Sequence, residues 1–383
     1  MGSLLLHSVK GANFMVSYDL KYHYRPRKGW MNDPNGLVYF GGWYHAFYQH
    51  APGHEHPWHE PMSWGHARTK DFITWEELPV ALLPDQPYDS GGCWSGTAIE
   101  HNGALYLFYA SIVEVDGKKH QSVSMAVSTD GLTFEKSALN PIIPGYPADG
   151  SPDFRDPAII KDGDTFYIVM ASASPENNAA RLLLYESRSL TEWSYVGILY
   201  EWKGNDDVEM QFCECPSFMK YGDKYLLTVS VCEKNRHYFI AMYGDFDGRK
   251  FYPEVSGNVH FGPDQYAGQV FTDHLGRHIM ITWVPGWSYS TFAEKSLGCL
   301  SLPIDLKVID DKLYGIPLDE VKHLLKPSDP AVEITENGFR IRRNLRDDVV
   351  YTGKIDDIRI LRDEYLIEVF LNGGESIYCA VLC

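Results

Sequence analysis

Three acids stand at matched places in a repetitive chain. Asp33, Asp156 and Glu214 each lie eleven residues ahead of an aromatic that opens a β-type run, at Tyr44, Tyr167 and Tyr225, and Ser95 keeps the same offset from Tyr106. Carboxylates brought together repel one another. Crowding three of them therefore has no structural benefit unless they bind a cation or perform acid/base and nucleophilic work. In the second case one carboxylate attacks an electrophilic carbon while another hands a proton to the leaving oxygen.

The elements that must position these acids repeat. Aromatic-aliphatic runs start at Tyr44 (YHAFYQ), Tyr106 (YLFYAS), Tyr167 (YIVMAS), Tyr225 (YLLTVS) and His278 (HIMITW), spaced 62, 61, 58 and 53 residues apart. A second series ends at Trp75, Phe134, Trp193 and Phe251, with steps of 59, 59 and 58. Two independent markers keep one period of a length that suits a four-stranded sheet with generous loops. Five such units predict an all-β fold, a five-bladed β-propeller over residues 18–318. The first strand of each blade lines the central channel, so matched positions on successive blades converge on one funnel. A tail over residues 327–383 ends in LIEVFL, the turn Asn372-Gly373-Gly374 and SIYCAVL, a hairpin. It reads as a small, abbreviated C-terminal β-sandwich-like unit with too few strands to close a two-sheet sandwich. Its apolar strands need cover, which predicts docking on the propeller away from the funnel, with self-association into a homo-oligomer as an extension.

Composition narrows the partners. The chain has 383 residues with 34 basic and 51 acidic side chains, a formal net charge of −17, and no basic run with interleaved aromatics, which argues against nucleic acid. The early apolar stretch Leu4–Leu6 is too short for a membrane span or a signal-peptide core, and the expected location is cytoplasmic. Seven cysteines without paired zinc spacing fit buried thiols rather than a disulfide framework. Aromatics at 14% suit sugar faces, and equally a large β core.

Taken singly, the motifs around the acids are weak. WMNDPNG (30–36) is a run of turn-forming residues, FRDP (154–157) fits a local ion pair, and CECP (213–216) invites a metal at Cys213 and Cys215. The chain shows no paired zinc spacing, so a metal is not expected there. Nor is one expected from His54, His56 and His59, whose loop lacks ligand spacing and more simply shapes the leaving-group side. Taken together, WMNDPNG, FYQ (47–49), WGHA (64–67), WSG (94–96), FRDP, ECP, DQYA (264–267) and LSLPIDL (300–306), in this order over roughly residues 22–320, resemble glycoside hydrolase family 32. That family includes invertases, fructan hydrolases and sucrose-6-phosphate hydrolases.

The resemblance implies a retaining hydrolase of β-D-fructofuranosides that needs no cofactor or metal. It makes Asp33 the nucleophile, Asp156 the transition-state stabiliser and Glu214 the acid/base. Asn32, Gln49, Trp58, Ser95 and Arg155 would hold the fructosyl ring, with Trp94, Asp264 and Tyr266 as further substrate-binding candidates. Trp94 and Thr97 stand where the family more often has Phe and Ser, and only the closing segment of the family's β-sandwich (366–376) is recognisable. The rivals are an inverting arabinanase- or xylosidase-like propeller, against which NDPNG with ECP argues, and a non-catalytic sugar-binding propeller, which would have lost an acid. Retention calls for carboxyl groups of Asp33 and Glu214 roughly 5–6 Å apart. Apolar neighbours Phe212, Cys213 and Cys215 are expected to keep Glu214 protonated, while Asn32 and Asn35 keep Asp33 ionised. The expected substrates are sucrose, its 6-phosphate or short fructo-oligosaccharides rather than long polymers.

Overall fold

The computed structural model describes residues 4–9, 12–17, 19–54, 58–202, 210–233, 236–289, 298–344 and 346–382. Five successive antiparallel sheets account for most of them. Blade 1 is Trp30–Phe40, Trp43–Ala51, Ser63–Thr69 and Trp75–Leu82. Blade 2 is Gly92–His101, Ala104–Val115, Lys118–Ser128 and the short Glu135–Lys136. Blade 3 is Phe154–Asp162, Thr165–Ala173, Ala180–Ser187 and Ser194–Glu201. Blade 4 is Met210–Tyr221, Lys224–Glu233, Arg236–Phe246 and Phe251–Gly257. Blade 5 is Tyr266–Thr272, His278–Val284, Ile304–Ile309 and Lys312–Pro317, with Cys299–Leu300 pairing beside its second strand.

The sequence markers fall at fixed places in this plan. Each aromatic-aliphatic run is the second strand of a blade, apolar almost throughout because both faces are covered by neighbouring blades. Each residue of the second series sits at the turn into, or the start of, the fourth strand. In blades 1 to 4 the hairpin joining the first two strands turns in two residues, with Asn102 and Gly103 of blade 2 both at positive φ, the backbone such a turn requires.

The first strands of the five blades touch in cyclic order and close a ring. Apolar side chains fill the space between blade faces: Trp64 and Phe47 meet Leu107 and Tyr109 between blades 1 and 2, and Val169 and Leu182 meet Leu227 and Val229 between blades 3 and 4. Near the axis, Gln269 of blade 5 reaches over to two other blades. Its Oε1 accepts from the Leu37 N–H at 3.0 Å and its Nε2 donates to the Gly96 carbonyl at 2.8 Å.

The tail departs from expectation in one respect. It forms two three-stranded sheets, Val332–Thr335, Gly338–Ile341 and Val349–Thr352 in one and Ile358–Asp363, Leu366–Leu371 and Ser376–Val381 in the other. Phe339, Ile341, Ile367, Val369 and Tyr378 share a core between them, so six short strands suffice for a sandwich of their own. The turn at Asn372–Gly374 joins the last two strands as read from the sequence.

Docking on the propeller is as expected. Leu366, Cys379 and Val381 pack on Val284 and Cys299 of blade 5. At the same junction Asp363 accepts from the N–H groups of Lys21, Tyr22 and His23 and from His23 Nδ1 at 2.9 Å. Glu368 lies 3.6 Å from His23 Nε2 and accepts from the Leu302 N–H. Burial opposes a charge on His23, yet the bonds from Asp363 and Glu368 push its pKa up to about 9.

Candidate active site

The acids are aimed by a defect repeated in every blade. Pairing between first and second strands slips at a matched place in every blade, between Met31 and Pro34, Cys93 and Gly96, Arg155 and Ala158, Glu214 and Ser217, and Tyr266 and Gln269, and blade 1 slips again between Asn35 and Val38. An extra residue in one strand bends it and re-aims its side chains. Asp33, Ser95 and Asp156 lie inside their bulges and Glu214 borders its own, so the shared slot is a neighbourhood of one bulge rather than one identical position. Asp156 and Cys215 take positive φ there, 55° and 49°, strained backbone of the kind that gathers at working sites.

These bulges open on a pocket of about 420 Å³. Asn32, Asp33, Asp156 and Glu214 line it, with Arg155 and Gln49; Ser95, Trp58 and Trp94 complete the candidates that the fold gathers there. Lys119, Gln121, Asp153 and Trp287 also line it and were not read from the sequence. Asp153 had a signal, standing two residues before Arg155 just ahead of the strand Phe154–Asp162; it takes the Arg155 Nη1 at 2.7 Å. His56 lies outside the described residues, and His54 and His59 stack on each other at 3.6 Å.

Asp33 Oδ2 accepts from Ser95 Oγ at 3.0 Å, and its Oδ1 is buried without a partner of bonding geometry. Asp156 Oδ2 accepts from the Cys215 N–H at 2.8 Å. Both Glu214 oxygens are held, Oε1 by Arg155 Nη2 at 3.1 Å and Oε2 by the Tyr266 hydroxyl at 2.6 Å. Tyr266 thus serves the site from behind Glu214. The thiols of Cys213 and Cys215 diverge, one toward the Arg181 carbonyl and the other toward Asp33.

Two expectations are corrected. Asp264 does not line the pocket: it is buried, and its Oδ2 takes Arg343 Nη1 and the Val381 N–H, both at 2.8 Å, so it anchors the sandwich. Its place in DQYA, two residues ahead of Tyr266, concealed that it precedes the strand, which begins only at Tyr266. The second correction concerns Asp33, expected to ionise readily. Burial, reinforced by Glu214 and Asp156, pushes its pKa up to about 7, with Asn32 and Ser95 easing it only partly. Asp156 is likewise raised by burial, to about 6, with Arg155 opposing the rise and Glu214 adding to it. The facing blades supply the neighbours that matter, which adjacency along the strand did not reveal.

Residues 23–317 match the family described as Glycosyl hydrolases family 32 N-terminal domain. A sucrose-6-phosphate hydrolase of Escherichia coli is 35% identical over 339 residues, covering 83% of this chain and 68% of its own length. A sucrose-6-phosphate hydrolase of Zymomonas mobilis is 33% identical, with 79% of this chain and 62% of the relative covered. Among solved structures, a GH32 beta-fructofuranosidase of Bombyx mori superposes with a TM-score of 0.81 at 26% identity, over 95% of this chain and 89% of that one. The chain belongs to glycosyl hydrolase family 32. It spans about two thirds of the length of these curated relatives. Among the described residues no helix is long and apolar enough to cross a membrane.

Proposed function

We propose that this chain is a retaining β-fructofuranosidase acting on small fructosides such as sucrose, its 6-phosphate and short fructo-oligosaccharides. The observation that carries this reading is the convergence of Asp33, Asp156 and Glu214 from three blades on one pocket, with Arg155 and Tyr266 gripping Glu214. A ketosidic carbon cleaves through an oxocarbenium-like state that surrounding carboxylates favour. Asp33 attacks that carbon while Glu214 protonates the leaving oxygen. Water activated by Glu214 then releases fructose with its configuration retained. Asp156, fixed by the Cys215 N–H, holds ring hydroxyls and opposes the developing positive charge. Arg155 and Tyr266 set the orientation of Glu214, and Trp58 and Trp94 wall the side where the departing sugar lies.

Lys119 supports the choice of small and phosphorylated substrates. Its ammonium lies 5.0 Å from the Trp94 ring and 5.8 Å from the Trp58 ring, paired with Glu60 at 2.6 Å, where an anionic departing group would meet it. The decisive experiment compares kcat/KM over sucrose, sucrose 6-phosphate, 1-kestose and inulin, with NMR of the first-formed anomer. Release of β-fructofuranose from the short substrates is expected. A preference for long inulin, or the inverted anomer as first product, overturns the reading.

A further inference from the structure

A second cavity lies beside the catalytic pocket, behind Tyr266. It measures about 320 Å³ and is bounded by the start of the third strand of blade 4, the segment leading into blade 5, and Thr282. Two of its wall residues have polar groups without a partner of full bonding geometry: His260, 7% exposed, has only the Gln265 side chain within reach of its ring nitrogens, and Gln265 is 6% exposed with its Oε1 in the same position. Leaving such atoms buried and unpaired is unfavourable, so their arrangement around a cavity calls for an occupant that can bond to them.

The walls limit what that occupant is. Phe239 and Tyr266 present aromatic surface, and among the described residues lining the cavity none is a carboxylate, lysine or arginine. Burial depresses both of its histidines, His260 to about 4, so the imidazoles are neutral at pH 7 and each offers one donor and one acceptor. An anion finds no cation here and a cation finds no carboxylate. An apolar ligand would leave the polar atoms unsatisfied. What fits is a neutral polyol ring, with hydroxyls for His260 and Gln265 and a C–H face for the aromatics. The wall is firmly held, since the sandwich strand Ser376–Val381 brackets it through the Phe261 N–H to the Ile377 carbonyl and the Ile377 N–H to the Val259 carbonyl, both at 2.8 Å.

We propose that this cavity is a second carbohydrate site, distinct from the catalytic pocket, that takes one neutral hexose between His260, Gln265 and the Tyr266 ring. Tyr266 lines this cavity and its hydroxyl donates to Glu214 Oε2, so an occupant abuts the residue that positions Glu214.

The test follows the imidazole nitrogens of His260 by NMR in the full chain labelled with ¹⁵N-histidine, during titration with fructose, glucose and inorganic phosphate. Saturable shifts with a hexose and none with phosphate are expected. Gln265→Leu should weaken that binding about tenfold, the loss of one buried hydrogen bond, while KM for sucrose stays unchanged. Absence of a saturable hexose shift, a shift that follows phosphate, or undiminished binding in Gln265→Leu overturns the proposal and leaves a cavity filled by water. The readout is independent of turnover: a chain that cleaves no fructoside yet shifts His260 with glucose would sink the catalytic reading and keep this one.

Discussion

The funnel and the junction between propeller and sandwich both bury carboxylates, and they treat them in opposite ways. At the junction, Asp363 and Glu368 close on His23, and Asp363 also collects three backbone N–H groups. Burial would raise the Asp363 pKa, but His23 and those donors hold it below the usual carboxylate range. In the funnel, Asp33 and Asp156 are raised by burial and by their acidic neighbours. Charge at the junction is neutralised where it serves cohesion; in the funnel it is left partly uncompensated where a cationic transition state will supply the missing partner. One protein thus holds both solutions to the same desolvation problem.

The largest expected effect comes from removing charge in the funnel. Asp33→Asn should lower kcat on sucrose by about 10⁴-fold or more, and Glu214→Gln by about 10²–10⁴-fold, with less loss on a substrate whose leaving group needs little protonation. Near wild-type turnover in either variant would remove these residues from the chemistry. Because Asp33→Asn also relieves crowding, its Tm at pH 8 should exceed that of the wild type by a few degrees, the reverse of what a structural aspartate would show.

Asp363→Asn should do the converse. It strips the charged partner from buried His23, and a loss of about 3–5 kcal/mol is expected in denaturant unfolding, with kcat for sucrose nearly unchanged below the transition. Equal stability would mean that the junction is indifferent to its charge.

The two regions should also separate by pH. Asp33 is raised from 3.8 to about 7, so its proton is held more tightly in the folded state; that contribution is full below 3.8 and is lost as pH rises through 7. His23 is raised from 6.5 to about 9, so its contribution is full below 6.5 and is lost as pH rises through 9. Melting curves from pH 4 to 10 should therefore show the Tm advantage of Asp33→Asn growing up to about pH 7, and the penalty of Asp363→Asn shrinking only above it. Coincident windows would undo the distinction.

The smallest effect belongs to the rim. Lys119→Gln should lower kcat/KM for sucrose 6-phosphate by roughly threefold relative to sucrose, the size expected of a half-exposed ion pair. An unchanged ratio would place the phosphate elsewhere.

Much of this was legible in the sequence because a propeller repeats itself. The runs at Tyr44, Tyr106, Tyr167, Tyr225 and His278 are apolar on both faces, since every second strand is sandwiched between blades, and the offset of eleven residues carried the acids with them. What was hidden depends on contacts between distant segments. The bulges leave no compositional mark common to NDPN, WSG, RDPA and ECPS. The depressed acidity of Asp33 comes from burial, reinforced by residues 123 and 181 positions away, and Asp264 meets Arg343 only when the sandwich docks. The tail was undercounted because Val332–Thr335, Gly338–Ile341 and Val349–Thr352 have four residues each, too few for alternation to stand out.

Gln269 has a kinetic meaning. By bonding to Leu37 and Gly96 it ties three blades together across the axis, and on the proposed reading sugars enter and leave the pocket by its open side alone. A fructosyl unit seated at its floor cannot depart past an aglycone still parked above it, and release is therefore ordered, departing sugar first and fructose second. No polymer can thread through, so a longer fructan is trimmed one terminal unit per visit. If Asp33 carries the fructosyl group as proposed, whatever re-enters by that side decides its fate: water would give hydrolysis, and at high sugar concentration a returning hydroxyl would give transfer.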